Sequence, residues 1–253
     1  MGDRRFAPIA APVGFALLVL IVWQIVADVT GADPRIIPSP LDVWAALVRQ
    51  PEILLSNAAV TVVEMVLGFA MGAAFGVLIG VLVGSWILAR RALYPWLVAS
   101  QTVPIPAIAA VLVIWFGFSI LPKLLVVALI TFFPVAVATA DGFASVDDDL
   151  VRLMRSFGAG KTTITREVRI PAALPFVFSG AKVAAALAVL GAVFGEWVGA
   201  RAGLGYLLLL EQRALDTDEV FAIIALLSLV GIGFVALVSL LERLVIPWHS
   251  RRV

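Results

Sequence analysis

Residues 65–89 read MVLGFAMGAAFGVLIGVLVGSWILA, twenty-five consecutive positions without a charged side chain. An α-helix needs about 20 mostly apolar residues to cross the hydrocarbon core of a bilayer. A run of this length therefore reads as a membrane-spanning helix, not as a core element of a soluble domain. Within it, Gly68, Gly72, Gly76, Gly80 and Gly84 recur at every fourth position. That spacing stacks all five on one helix face. Small residues in a row let a second backbone approach closely, which is how helices associate in lipid. The row admits two readings, tight packing in a bundle or a face that slides during a transport cycle.

The same pattern extends through the chain. Residues 6–27, 92–122, 124–140 and 220–241 carry no charge, and 170–195 is interrupted only by Lys182. Six spans follow, near 12–28, 58–86, 93–117, 121–143, 171–198 and 219–244, in one all-α integral membrane domain over residues 1–253. The fifth repeats the small-residue device with Gly180, Ala184, Ala188 and Ala192, together with Gly191, Gly195 and Gly199. The first begins after Arg4 and Arg5 like a signal peptide, but a weak cleavage signal and five later spans read it as retained. Phe6 stands where a myristoylation signal has Ser or Thr.

Composition agrees. Apolar residues are 62% of the chain and charged residues 14%, against roughly 45–50% and about 25% in soluble domains. A small globule cannot hide so many apolar side chains inside. With no cysteine, disulfides, thiolate metal sites and cysteine nucleophiles are excluded. His249 is the one histidine, so chemistry needing two is excluded. A net charge of +1 argues against nucleic acid. No cofactor is expected.

Lys and Arg concentrate on the cytoplasmic side of membrane helices. With the N-terminus inside, that side holds Arg4, Arg5, Arg90, Arg91, Arg152, Arg155, Lys161, Arg166, Arg169, Arg243, Arg251 and Arg252. The other side holds only Arg35, Arg49, Lys123, Arg201 and Arg213. Both termini are therefore expected in the cytoplasm, in a bacterial inner membrane. Trp23, Trp115 and Trp197 fall near one interface, and Trp86, Trp96 and Trp248 near the other.

Three polar features interrupt the apolar pattern. Ser39-Pro40-Leu41-Asp42 is a helix start, with serine at N-cap, proline at N1 and an acid at N3. Leu41, Trp44, Ala45 and Val48 then share one face of an amphipathic helix at the outer surface. Pro104 and Pro106 break the third span, since each lacks a backbone N–H and frees the carbonyl four residues earlier, at Ser100 and Thr102. Freed carbonyls at membrane depth face protein or a water-filled cavity, so Gln101, Thr102 and Pro104 are either a satisfied kink or a pathway lining. The largest polar insert is ASVDDDLVRLMRSFGAGKTTITREVRI, residues 144–170. Asp147, Asp148 and Asp149 suit a helix N-terminus. Leu150, Leu153 or Met154, and Phe157 recur at helical spacing, and Gly158 stops the helix. Such a helix over 147–158 lies on the bilayer or docks on a partner. Gly158-Ala159-Gly160-Lys161-Thr162 is not a phosphate-binding loop, because Arg155 stands where the first glycine belongs and no strand precedes it.

Gly158, nine residues, then Val168-Arg169-Ile170-Pro171 resembles the EAA signature of permease subunits of binding-protein-dependent ABC importers. The positions that name the signature are Arg152, Leu153 and Met154 here. Pro38-Ser39-Pro40, Pro104-Ile105-Pro106, Trp115-Phe116-Gly117, Phe132-Phe133-Pro134, Pro171-Ala172-Ala173-Leu174-Pro175, and Glu196 ahead of Gly203-Leu204-Gly205 extend the resemblance over most of the chain. The ordered set is similar to the branch importing sulfonates, taurine, nitrate and vitamin precursors such as pyrimidines and riboflavin. Glu196-Trp197-Val198-Gly199 before Gly203-Leu204-Gly205-Tyr206, and Glu242-Arg243 with Ile246-Pro247-Trp248, look nearest to the vitamin-precursor members.

The resemblance implies a six-helix type I importer bundle and a set of partners. These are a second permease subunit (a homodimer), a cytoplasmic ABC ATPase dimer and an extracytoplasmic substrate-binding protein that delivers a small molecule. The helix at 147–158 becomes the coupling helix, with Leu150, Arg152, Leu153, Met154, Arg155, Phe157 and Gly158 against the ATPase. No ATP touches this chain.

Ionisable groups within a span are functional candidates. Asp141 is expected to pair with Lys182 at similar depth. Glu64 and Glu196, both in outer halves, are candidates for the translocation pathway beside Gln101, Thr102 and Pro104. Acids there fit a neutral or heteroaromatic cargo better than an anion. An intramembrane protease is excluded by the missing H-E-x-x-H and by one histidine past the last span. An ion-coupled secondary transporter or channel, with Glu64 or Glu196 as its ion site, is the alternative.

Overall fold

The structure is a computed structural model, and it describes residues 7–30 and 36–248. Arg4, Arg5, Arg35, His249, Arg251 and Arg252, which enter the charge argument above, lie outside the described residues.

Every regular element among the described residues is helical. In chain order these are α1 (Ala7–Thr30), α2 (Pro40–Arg49), α3 (Pro51–Ser85), α4 (Ile87–Ser100), α5 (Ile105–Phe116) and α6 (Ile120–Ala144). Then come α7 (Asp148–Ser156), α8 (Lys161–Ile164), α9 (Ile170–Gly199), α10 (Leu204–Ala214) and α11 (Thr217–Val245), with a π-helical turn over Thr165–Arg169 ahead of α9. Among the described residues five helices are long and apolar enough to cross a bilayer, and α4 with α5 makes a sixth span when the bent pair is counted as one.

α6 lies at the centre, between α3 and α9. The glycine row of α3 meets it: a Cβ on Gly80 would lie 2.5 Å from Thr139 Cβ and 2.7 Å from the Ala136 carbonyl oxygen. On the other side, a Cβ on Gly180 would lie 2.6 Å from the Pro134 carbonyl oxygen, and Ala184, Ala188 and Ala192 of α9 are fully buried. Both small-residue rows are thus packing faces, and their periodicity brings three backbones into contact. Met65, Val127, Ala185, Ala188, Ala192, Phe234 and Val238 form the core between them, where Phe69 meets Phe234 edge to face at 5.0 Å.

Gly80→Leu should therefore sharply lower the yield and melting temperature of detergent-solubilised protein. Overpacking typically costs about 1–3 kcal/mol, and here the obstacle is backbone. Gly233→Leu is the control, since nothing lies within 4 Å of its Cβ position. Equal melting of the two variants would contradict this packing.

The third span is not one straight helix over 93–117. α4 and α5 meet at 93°. The break falls where the sequence places its prolines, because Pro104 and Pro106 cannot donate and Pro104 disfavours helix at Val103. The Ser100 carbonyl, expected to be orphaned, accepts the Val103 N–H at 3.3 Å in a tight turn. The third and fourth helices of the chain are separated only by Trp86.

Asp141 and Lys182 do not pair. Arg90 of α4 reaches Asp141 at 3.0 Å, and Lys182 reaches Glu242 of α11 at 2.8 Å. Gly142 takes the position facing Ala173 and Phe176 of α9. Asp141, about 100° earlier around the helix, turns instead toward α4. Lys123 falls within the fourth span, as the bounds 121–143 place it. It lies in the first turn of α6 and is buried.

α2 begins as its sequence requires. The Ser39 hydroxyl accepts the Asp42 N–H, and the Asp42 carboxylate accepts the Ser39 N–H at 2.9 Å. The Ser39 hydroxyl, donating to the Asp42 carboxylate at 2.7 Å, and then the Ser39 N–H hold that carboxyl below the ordinary carboxylate range, so this cap is present above that range and lost as pH falls through the lowered value. Val43 and Ala46 pack on Ala222 of α11. Leu41, Trp44 and Val48 do share a face, and it is the exposed one.

Candidate functional site

Two constructions outside the packing core bear on function. The first is α7. Asp147 caps it by accepting the Asp149 N–H at 2.8 Å, and Asp148 and Asp149 occupy its first turn. Its end is a Schellman turn: Ala159 N–H donates to the Met154 carbonyl at 3.0 Å and Gly158 N–H to the Arg155 carbonyl at 2.9 Å. Gly158 is left-handed, at φ +85°. Val151 faces the bundle at 5% exposure. Leu150, Leu153 and Phe157 turn away, and Phe157 is 80% exposed. Arg152 pairs with Asp149 on the exposed side. Met154 is half-buried, and Arg155, four residues after Val151, is exposed on the side opposite the apolar stripe. The seven residues expected on this helix are thus brought together, all exposed but the half-buried Met154, with Arg155 on the side away from the apolar stripe. The string following it leads from helix to helix, with Lys161 opening α8, so no strand-borne phosphate loop exists there.

The second construction is a buried polar cluster. Asn57, Thr61 and Glu64 follow one stripe of α3 and meet Glu196 of α9, Lys123 of α6 and the start of α10. Lys123 Nζ donates to Glu64 Oε1 at 2.8 Å. Thr61 Oγ1 donates to Glu196 Oε1 at 2.7 Å and accepts the Leu204 N–H at 2.8 Å. Asn57 Oδ1 accepts the Gly203 N–H at 2.7 Å. Glu196 Oε2 accepts the N–H groups of Gly205 and Tyr206. The first N–H groups of any helix lack partners within it. Here they are satisfied by side chains of α3 and α9, so Glu196 is an N-cap supplied from another helix. Gly203 sits at φ +116°, and a Cβ there would strike the Glu196 carboxyl; only glycine fits.

Glu64 and Glu196 are each 1% exposed. Their carboxyls are enclosed by the bundle and engaged with Lys123 and α10, rather than open to a lumen within this chain. Gln101, Thr102 and Pro104 sit together on the exposed bend between α4 and α5, apart from the acids. Sequence reasoning missed Asn57, Thr61 and Lys123. The signal for the first two was present: polar residues at i, i+4 and i+7 with Glu64, on one face of an otherwise apolar helix.

Comparison with known proteins gives this geometry a context. Residues 54–251 match the family described as the binding-protein-dependent transport system inner membrane component. The formylaminopyrimidine transport permease of Halalkalibacterium halodurans is 36% identical, over 95% of this chain and 96% of its own. The riboflavin transport system permease of Chloroflexus aurantiacus is 39% identical, over 92% and 88%. The putative aliphatic sulfonates transport permease of Escherichia coli is 34% identical, over 97% and 92%. An inward-facing structure of the MetNI methionine ABC transporter shares the fold, with a TM-score of 0.50 at 22% identity over 74% of this chain and 94% of that one. The chain therefore belongs to the family of binding-protein-dependent transport system inner membrane components, as a permease subunit of an ABC importer.

Proposed function

We propose that two copies of this chain enclose one translocation pathway, with both termini cytoplasmic, and that α7 couples it to ATPase subunits that are separate chains. The observation carrying this reading is the exposed stripe of Leu150, Leu153 and Phe157 on a capped helix outside the apolar spans. An exposed apolar stripe on a rigid helix suits a groove on a partner. Leu150, Leu153 and Phe157 would fill that groove, with Arg152 at its rim. ATP-driven closure of the ATPase would move α7, and α7 would move the bundle through Val151.

The bend at Gln101, Thr102 and Pro104 would line the pathway, where unwound backbone and two neutral polar side chains meet cargo. Glu64 and Glu196 would hold the outer ends of α3, α6, α9 and α10 in place behind it. The absence of a cation among Gln101–Pro104 favours a neutral cargo over an anion. Relatives named for formylaminopyrimidine and riboflavin transport support a small heteroaromatic vitamin precursor.

The test is uptake into proteoliposomes holding the permease, its ATPase and its binding protein. Labelled riboflavin or an aminopyrimidine should accumulate only with ATP, and should do so when ionophores collapse ion gradients. Accumulation of taurine or an alkanesulfonate instead would overturn the cargo assignment. Uptake driven by an ion gradient without ATP would overturn the mechanism.

A further inference from the structure

Beside α7, facing away from its apolar stripe, lies a cavity of about 270 Å³. Ser85 and Trp86 at the end of α3, Arg155 of α7, Lys161 of α8, and Thr165 and Arg169 of the π-helical turn ahead of α9 line it. Three cations and two hydroxyls converge there, and no acid is among the lining residues. Arg155, Lys161 and Arg169 make no ion pair among the described residues; the nearby Arg166 is paired with Glu167. The Arg169 Nε is buried without a hydrogen-bond partner. An unsatisfied buried donor on a cation is costly, and its natural complement is an oxyanion.

The surroundings decide which oxyanion. Trp86 closes the α3 span and is 65% exposed, at the depth where tryptophans meet lipid headgroups. Ile87 and Leu88, next in sequence, are both strongly exposed apolar side chains. A cationic pocket opening beside an apolar strip fits a molecule that carries a phosphate and acyl chains. Guanidinium groups match phosphate geometry, and basic pockets between spanning helices take anionic headgroups. We propose that this pocket binds the phosphate of an anionic phospholipid, tying the end of α3 to the loop between α7 and α9. The inference rests on the membrane placement of α3, not on the cargo or on the coupling role of α7.

The test is quenching of tryptophan fluorescence in the complete transporter, reconstituted with brominated phosphatidylglycerol or brominated phosphatidylcholine. Phosphatidylglycerol should quench more. The excess should vanish in Trp86→Phe, and its apparent affinity should fall about tenfold in Arg169→Gln, as loss of one charge-assisted bond implies. Arg169→Lys should recover part of it. Lys161→Gln alters an exposed residue and provides a second reading if Arg169→Gln fails to fold. Equal quenching by the two lipids would overturn the proposal. Abolition of the excess by millimolar inorganic phosphate would assign the pocket to free phosphate and overturn the lipid source. An excess seen only without the ATPase would make an acidic group of that partner the occupant, and would also overturn it.

Discussion

Phe157→Asp abolishes ATP-driven uptake while leaving the protein in the membrane at its normal level. Phe157 is 80% exposed and follows the last turn of α7, so the fold loses little when it changes; substitutions at such positions usually alter stability by at most about 0.5 kcal/mol. If it seats in an apolar groove, the aspartate must bury an unpaired charge there, at a cost of several kcal/mol. At about 1.4 kcal/mol per tenfold, the contact weakens at least about a hundredfold. Gly158→Pro reaches the same end through backbone, because proline is fixed near φ −65° and this position sits at +85°. Uptake assays in vesicles, with the permease quantified in the same membranes, check both. Normal uptake by both variants would remove α7 from the coupling path.

Glu196→Ala strongly destabilises the folded state, whereas Glu196→Gln retains most of its stability. The alanine variant strips the acceptor from the N–H groups of Gly205 and Tyr206, while the Thr61 hydroxyl keeps the Asn57 carbonyl at 3.2 Å. Each buried group left without a partner costs about 1–3 kcal/mol, so the two N–H groups together remove a large part of the stability of a typical domain, about 5–15 kcal/mol. Glutamine keeps an amide oxygen that can accept from the start of α10. Size-exclusion profiles and thermal melts of the two variants measure the difference. Equal stability of Ala and wild type would mean that α10 does not depend on this cap. Gly203→Ala should resemble Glu196→Ala, since its Cβ would occupy the space of the carboxyl.

These two sites differ in how far the sequence exposed them. α7 was legible because everything that shapes it is local: three aspartates at its start, an apolar stripe at helical spacing and a glycine at its end. The broken span was legible for the same reason, since Pro104 and Pro106 act on their own backbone. The role of Glu196 was not, because its partners come from α3 and α10. Nothing in Glu196-Trp197-Val198-Gly199 states that its carboxylate meets the helix that starts eight residues later. Charge pairing failed on rotation. Asp141 and Lys182 do lie within helical spans, but which neighbour each faces depends on the angle of α6 between α3 and α9. Only the packed bundle fixes that angle, and the glycine rows that fix it say which face is close without naming the partner. The stripe of Leu41, Trp44 and Val48 carries the same lesson: its periodicity was plain, yet the protein packs on the opposite face of α2.

The chain contains no cysteine, so a single introduced thiol can report on one position without background. The most direct measurement places a photoactivatable maleimide on Phe157→Cys in native membranes, crosslinks it, and identifies the adduct by mass spectrometry. Phe75→Cys, exposed on the middle of the apolar span α3, is the control. The predicted result is an adduct to an ATPase subunit from position 157, none from position 75, and loss of the first adduct with Gly158→Pro. Adducts to lipid alone at both positions would contradict the account, because α7 would then lie on the bilayer and the route from ATP to this bundle would have to run elsewhere.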